Sequence, residues 1–366
     1  MIRVLVEEDA ILRIVPVILD PETPEPHRRA IAAFFACDEP DFLGWCRRVQ
    51  QRIPGLYPAR VEMVRDQAEL AAKLPEADAV IVESLAIGAA ELARAPNLAM
   101  VQKFGINAAN IDIAACAAAG VAVEVQRRRV NVAVAEQALA LMLALAKRLP
   151  ALMGVVTAAA LEAKGFDVTP YDRRYTGNSN FARVTGLRTL SGAVLGVVGL
   201  GEIGREVASR AAAFGMTVLY HQRHRVSAME ERLLGARHVP LDELMASADY
   251  IVPALPLNAS TRGIIGRAEL ARAKPGAVLV NVARAELVDH AALVDALRSG
   301  RLGGFALDVG YREPTPPDEP LLGFTAGNVI LMPHTAVGER QNGLDDMEEM
   351  CLKLWRGTAA RHRQAR

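Results

Sequence analysis

Val197-Val198-Gly199-Leu200-Gly201-Glu202-Ile203-Gly204-Arg205 is the stretch whose reading decides the fold. The apolar residues 193–198 read as a strand running into a G-x-G-x-x-G turn. The alanine-rich pattern over 205–214 reads as a helix stopped by Gly215. In such a turn the first glycine permits the bend, the second lets a pyrophosphate approach the backbone, and the third lets helix and strand pack closely. Gly199, Gly201 and Gly204 take those places, with Glu202 and Ile203 as further cofactor contacts leading to the helix N-terminus. There, N–H groups and the positive dipole end favour phosphate. A strand at 217–220 follows, so the context is that of a dinucleotide-binding unit rather than a chance glycine loop.

Outward from this turn the chain alternates strand and helix. Downstream, strands are predicted near 218–220, 250–252, 278–280, 305–307 and 329–331. Upstream, an earlier series begins at Ala59, with strands near 61–64, 79–82, 98–101 and 121–123 and helices between them. Short strands alternating with helices imply parallel pairing with helices on both faces. The expected fold class is therefore α/β, with two doubly wound parallel-sheet domains. Residues 20–58, rich in proline, read as a helical elaboration of the first domain, and 151–188 as an extended surface connection.

The 366 residues are 51% hydrophobic and 23% charged, an ordinary globular composition with ample core for two domains. Lys plus Arg (42) equals Asp plus Glu (42), so no global field draws the chain to nucleic acid or anionic lipid. Cys37, Cys46, Cys116 and Cys351 show no metal-ligand spacing and no disulfide framework. They fit a reducing, cytoplasmic setting, and no metal site is expected. The N-terminus lacks the apolar core of a signal peptide. The apolar run 138–146 is too short to span a membrane. It belongs to a helix over 131–148 that is apolar nearly all round, which reads either as a core helix or as one packed on a second subunit. The second reading is favoured.

Three further motifs follow predicted strands: Asn281-Val282-Ala283-Arg284, Asp308-Val309-Gly310-Tyr311-Arg312-Glu313-Pro314 and Met332-Pro333-His334. In a parallel sheet, residues just past the strand C-termini line one crevice, so Arg284, Glu313 and His334 should converge. Together with Pro256-Leu257, Thr261, Asn110-Ile111-Asp112 and Val134-Ala135-Glu136, these motifs resemble, in order and spacing, the D-isomer-specific 2-hydroxyacid dehydrogenases. The resemblance runs over roughly residues 78–340. It implies a flavodoxin-like substrate-binding domain over 1–127 and 335–366 and a Rossmann dinucleotide-binding domain over 128–334. It also implies a homodimer built on helix 131–148, and cofactor contacts from Pro256, Thr261, Val282, Ala283 and Asp308 besides the glycine turn.

The implied chemistry is NAD(P)-dependent reduction of a 2-oxo acid, of the glyoxylate/hydroxypyruvate reductase type. That reaction needs a hydride for the carbonyl carbon, a proton for its oxygen and a cation for the carboxylate. His334 would donate the proton. Glu313 would favour its imidazolium, because an opposite charge stabilises the charged form. Arg284 would bind the carboxylate through its planar fork of donors. The loop Lys103-Phe104-Gly105 would hold the substrate carboxylate by backbone N–H groups. Phosphoglycerate dehydrogenase chemistry is a further candidate within the family. Alternatives are a formate dehydrogenase-like enzyme, which usually carries Gln in place of Glu313, and a dinucleotide-sensing corepressor.

At the end of the second strand in such a unit, Asp or Glu normally accepts from the ribose hydroxyls and repels a 2′-phosphate. Here Gln222 stands there, followed by Arg223-His224-Arg225. A neutral amide removes the repulsion and guanidinium groups bind phosphate, so NADP is favoured over NAD. If Arg223 and Arg225 are merely solvated, the cofactor is NAD. Asn107 and Ala285 stand where the family usually has glycine. Arg127-Arg128-Arg129 replaces a Pro/Gly-containing stretch. Facing the substrate, such arginines would suit a second anionic group; facing solvent, they are a charged hinge, which is the reading preferred.

Overall fold

The computed structural model describes residues 1–325 and 327–364, with side chains to 359. The chain forms two compact units, Met1–Val130 with Gly338–Arg366, and Asn131–Val337.

The first unit holds five parallel strands: β1 (Ile2–Glu7), β2 (Ala59–Val64), β3 (Ala79–Val82), β4 (Met100–Lys103) and β5 (Ala122–Val125), in the spatial order β2-β1-β3-β4-β5. The interior strand β1 lies before the first strand predicted from the sequence. Its polar ends, Arg3 and Glu7, mask an alternation that the sheet uses fully. Val4 and Val6 enter one apolar core and Leu5 the other, so both faces are buried. Residues 8–58 contribute helices Ile14–Leu19, Glu25–Phe35 and Phe42–Arg52. They seal one face through Phe35, Phe42 and Trp45, whose rings follow one another at 5.4 and 5.7 Å. The amphipathic helix Gln341–Gln364 joins the same core through Leu344, Met347, Met350 and Leu354.

The second unit has seven parallel strands: β6 (Val194–Val198), β7 (Thr217–His221), β8 (Ala236–His238), β9 (Tyr250–Pro253), β10 (Ala277–Asn281), β11 (Leu302–Leu307) and β12 (Val329–Leu331). Their order is β12-β11-β10-β9-β6-β7-β8. The order reverses at β6, and the glycine turn leaves the C-terminal end of that strand, where doubly wound sheets bind ligands. Residues 149–188 are more structured than a plain connection. Helices Leu149–Leu152 and Ala158–Ala163 enclose a small core around Leu161, Ala182 and Val184. The helix predicted over 131–148 runs from Arg129 to Ala146. Its 18 residues are long and apolar enough to cross a membrane by composition alone, but half of that window is buried within the protein, as in a core helix.

Candidate active site

Gly199 leaves β6 at φ +102°, a conformation that favours glycine, and a Cβ there would lie 2.7 Å from the Ala254 carbonyl oxygen. A Cβ on Gly204 would lie 2.1 Å from the Gly199 carbonyl oxygen, so the helix Glu202–Ala213 can approach the strand this closely only with glycine. A Cβ on Gly201 would meet nothing within 4 Å. Two glycines are thus demanded by packing, while the third opens space over the start of a helix whose first N–H groups have no intrahelical acceptor. That cradle fits a dinucleotide pyrophosphate. Buried Asn131 donates to the Glu202 carboxylate at 2.7 Å, fixing the first turn from the helix Arg129–Ala146.

Gln222 is tied into the same turn. Its Oε1 accepts from Leu200 N–H at 2.9 Å and its Nε2 donates to the His224 carbonyl at 2.6 Å. Of the two arginines expected at the ribose, Arg225 is bidentate to Glu231, with Nε at 2.8 Å and Nη2 at 2.6 Å. Tyr220 donates to the same carboxylate at 2.9 Å and accepts from Val226 N–H at 3.1 Å. The Arg225 guanidinium, opposed by the cost of burial and aided by Tyr220, holds the Glu231 carboxyl down at about 2. Arg225 therefore fixes the shape of this loop, and exposed Arg223 remains as the cation at its surface.

Past β9, Thr261 closes the turn by donating to the Pro256 carbonyl at 2.6 Å and accepting from Asn258 N–H at 2.9 Å. Past β10, Val282 and Ala283 are buried. Asn281 holds this corner, accepting from Ala283 N–H at 3.0 Å and donating to the Arg284 carbonyl at 2.8 Å, which leaves the Arg284 side chain exposed.

Of the three residues expected at the crevice, the structure pairs Glu313 with His334, and Arg284 lies near enough for its charge to act on Glu313. His334 Nδ1 and Glu313 Oε2 are 3.0 Å apart. Partial burial raises the Glu313 carboxyl, but His334, the Gly310 N–H at 3.0 Å and Arg284 together hold it below the usual carboxylate value. His334 has φ +56°, a left-handed conformation sparsely occupied by non-glycine residues, which costs about 1–3 kcal/mol. The Asp308 backbone and side chain hold it there. The carbonyl of Asp308 accepts from His334 N–H at 2.8 Å, and its buried carboxylate accepts from Thr335 N–H at 3.0 Å and Ala336 N–H at 2.9 Å. Asp308 is thus the positioning residue of the His334 turn, beyond the cofactor contact its motif implied.

The loop carrying Glu313 has a support that the sequence reading overlooked. Tyr311 donates to the Val288 carbonyl at 2.8 Å and packs edge-on to His290 at 4.4 Å, while His290 Nε2 lies 2.7 Å from Glu319. Burial pushes the Tyr311 phenol well up. The signal was faint, because His290 opens the helix His290–Arg298 whereas Tyr311 and Glu319 lie beyond β11, in the connection that follows it.

Lys103, Phe104 and Gly105 belong to the first unit. Lys103 and Phe104 are buried, Gly105 has φ +142°, and Gln126 N–H donates to both the Lys103 and Gly105 carbonyls, at 3.1 and 3.0 Å. Among the described residues, no group of three or more His, Cys, Asp or Glu could hold a metal ion.

The family model of the D-isomer specific 2-hydroxyacid dehydrogenase NAD binding domain matches residues 139–336. The chain belongs to that family, and its glycine turn lies in a nicotinamide-dinucleotide-binding domain. It is 37% identical over 294 residues to the D-3-phosphoglycerate dehydrogenase of Mycobacterium tuberculosis (strain ATCC 25618 / H37Rv), covering 79% of this chain and 51% of that protein. To the glyoxylate reductase of Korarchaeum cryptofilum (strain OPF8) it is 44% identical over 145 residues, covering 40% of this chain and 43% of that protein. Among solved structures, a glyoxylate reductase from Paecilomyes thermophila matches with TM-score 0.55 and 26% identity, over 96% of this chain and 93% of that one. The chain spans about half the length of the curated relatives it matches.

Proposed function

We propose that the protein is a D-2-hydroxyacid dehydrogenase that reduces a 2-oxo acid, of the glyoxylate/hydroxypyruvate reductase type, with a preference for NADP. The observation that carries this is the Glu313–His334 pair, 3.0 Å apart on the sheet edge that bears the glycine turn, with the Arg284 charge beside it. The reduced nicotinamide, when bound, supplies a hydride to the carbonyl carbon. With Nδ1 held by Glu313, His334 presents Nε2 to the carbonyl oxygen and gives it a proton; in the oxidative direction the same nitrogen takes the proton back. The exposed guanidinium of Arg284 pairs with the substrate carboxylate and polarises the carbonyl. Glu313 in place of Gln favours this proton-requiring reaction over formate oxidation.

The NADP preference rests on Gln222, whose neutral amide is bonded into the glycine turn, and on exposed Arg223 beside it. The helix Arg129–Ala146 leaves Ala133, Ala140, Leu143 and Ala144 at least partly exposed, which supports a homodimer packed on this helix. Following absorbance at 340 nm with NADPH, NADH and a panel of 2-oxo acids tests the reading. Turnover with lower KM for NADPH is expected, and Gln222→Asp should move the preference to NADH. Binding of the dinucleotide without turnover of any acid would replace this reading with that of a dinucleotide-sensing binding protein.

A further inference from the structure

The structure separates the three consecutive arginines. Arg129 is bound to Asp346, by its backbone N–H at 2.8 Å and Nη1 at 2.7 Å, and to Glu349 at 2.9 Å, so it anchors the helix Gln341–Gln364. Arg128 instead folds back over the loop after β4. Its guanidinium carbon lies 4.1 Å from the centre of the Phe104 ring, and its side chain is only 17% exposed. Among the described residues its one ionic neighbour, Glu83 past β3, stands at 3.7 Å, and its Nε is buried without a hydrogen-bond partner. A guanidinium carries five donors in a rigid fork, and a buried donor left without an acceptor is costly. Stacked on Phe104, this one is held in place with most of its donors uncommitted.

We infer that Arg128 is a carboxylate-binding residue of the first unit, and that it selects 2-oxo acids carrying a second carboxylate. This rests on the dehydrogenase reading, in which loop 103–105 holds the carboxylate next to the ketone. Arg128 lies one aromatic ring away from that loop, a spacing suited to the far end of a short dicarboxylic acid. The surroundings favour a monoanionic carboxylate over a phosphate dianion. Glu83 lies beside the guanidinium, and the Asp9 and Glu7 charges act on Glu83 alongside it, with the Lys103 ammonium opposing them. A second negative charge on the ligand meets these carboxylates, whereas a single one pairs with Arg128 alone.

The test is calorimetric titration of the full chain with 2-oxoglutarate, with 2-oxopentanoate of the same chain length, and with 3-phosphohydroxypyruvate. The unsubstituted protein should bind 2-oxoglutarate about ten- to a hundredfold more tightly than 2-oxopentanoate, the range of one charge-assisted hydrogen-bonded pair. Arg128→Met keeps the apolar stem on Phe104. It should remove that difference while leaving 2-oxopentanoate binding unchanged. Glu83→Gln, which spares the guanidinium, should raise affinity for the phosphorylated acid more than for 2-oxoglutarate. Equal binding of the two unphosphorylated acids, equal losses for both in Arg128→Met, or tighter binding of the phosphorylated acid by the unsubstituted protein would overturn the inference. Should Arg128→Met not fold, an unchanged phosphate-to-carboxylate ratio in Glu83→Gln overturns it. These titrations involve no turnover, so failure of the dehydrogenase reading shows separately, as absence of dinucleotide oxidation.

Discussion

After β6, the second unit turns within Gly199–Gly204 and enters a helix whose first N–H groups face the open space at Gly201. After β1, the first unit runs through residues 8–58, and the edge of its sheet is closed by Glu7. The Glu7 carboxylate accepts from the N–H groups of Glu83, Ser84 and Leu85 at 2.6, 2.8 and 3.0 Å, and from the Ser84 hydroxyl. Both sheets are parallel and doubly wound, and in both the C-terminal strand ends gather backbone donors. One unit leaves those donors for a ligand; the other engages its N–H groups at 83–85 internally. The proposed anion recognition by Arg128 therefore lies away from these N–H groups. The contrast explains why a glycine signature marks one unit and none marks the other.

The largest expected effect falls on the second edge. His334→Ala and Arg284→Ala should each lower kcat/KM by about a hundred- to ten-thousandfold, while the dinucleotide dissociation constant, read by nucleotide fluorescence, stays unchanged. Near-full activity in either variant would remove the proton donor or the carboxylate clamp from the scheme. Next comes Gly204→Ala, whose methyl would sit 2.1 Å from a carbonyl oxygen. It should destabilise the second unit by about 1–3 kcal/mol and abolish dinucleotide binding. Retained binding would mean that the strand-to-helix approach is not what shapes the cradle.

On the first edge, burial raises the Glu7 carboxyl, but the N–H and hydroxyl donors outweigh it and hold it below 4.5. The folded state therefore releases this proton more readily than the unfolded chain. Its stabilisation is complete above the ordinary carboxylate range and is lost as pH falls through the lowered folded value. Glu7→Gln should cost about 1–3 kcal/mol at pH 7 by denaturant titration, and the gap from the unsubstituted protein should narrow at acid pH. A gap independent of pH would assign the effect to packing. The smallest effect concerns thiols. Burial pushes Cys46 and Cys351 up to about 12, Cys116 is buried too, and Cys37 is exposed. A maleimide should modify one thiol in the native protein and four after unfolding; a second native adduct would show that the apolar core of the first unit opens.

Much of this was legible one residue at a time. The glycine turn, Arg284, Glu313 and His334 could be read because each lies in the segment that leaves a strand's C-terminal end, and strand ends in a parallel sheet share an edge whatever the loops between them do. Helices such as Gln67–Lys73 and Phe42–Arg52 carry their bounds in local caps, with Asp66 and Asp41 each accepting from backbone N–H groups of the first turn. The strand Ile2–Glu7 was not legible, since its charged ends conceal a core position that only flanking strands on both sides create.

The sequence by itself determined the two parallel α/β sheets, the dinucleotide turn and the Arg/Glu/His set, because these depend on periodicity and on residues adjoining strand ends. Tertiary structure alone decided that Arg225 belongs to Glu231, that Asp308 holds His334 in a left-handed backbone, that Arg129 anchors a helix and that Arg128 lies over Phe104. Which partner a charged side chain meets depends on chain segments far apart in sequence, and the short reach of a hydrogen bond makes that choice only after the sheets have formed.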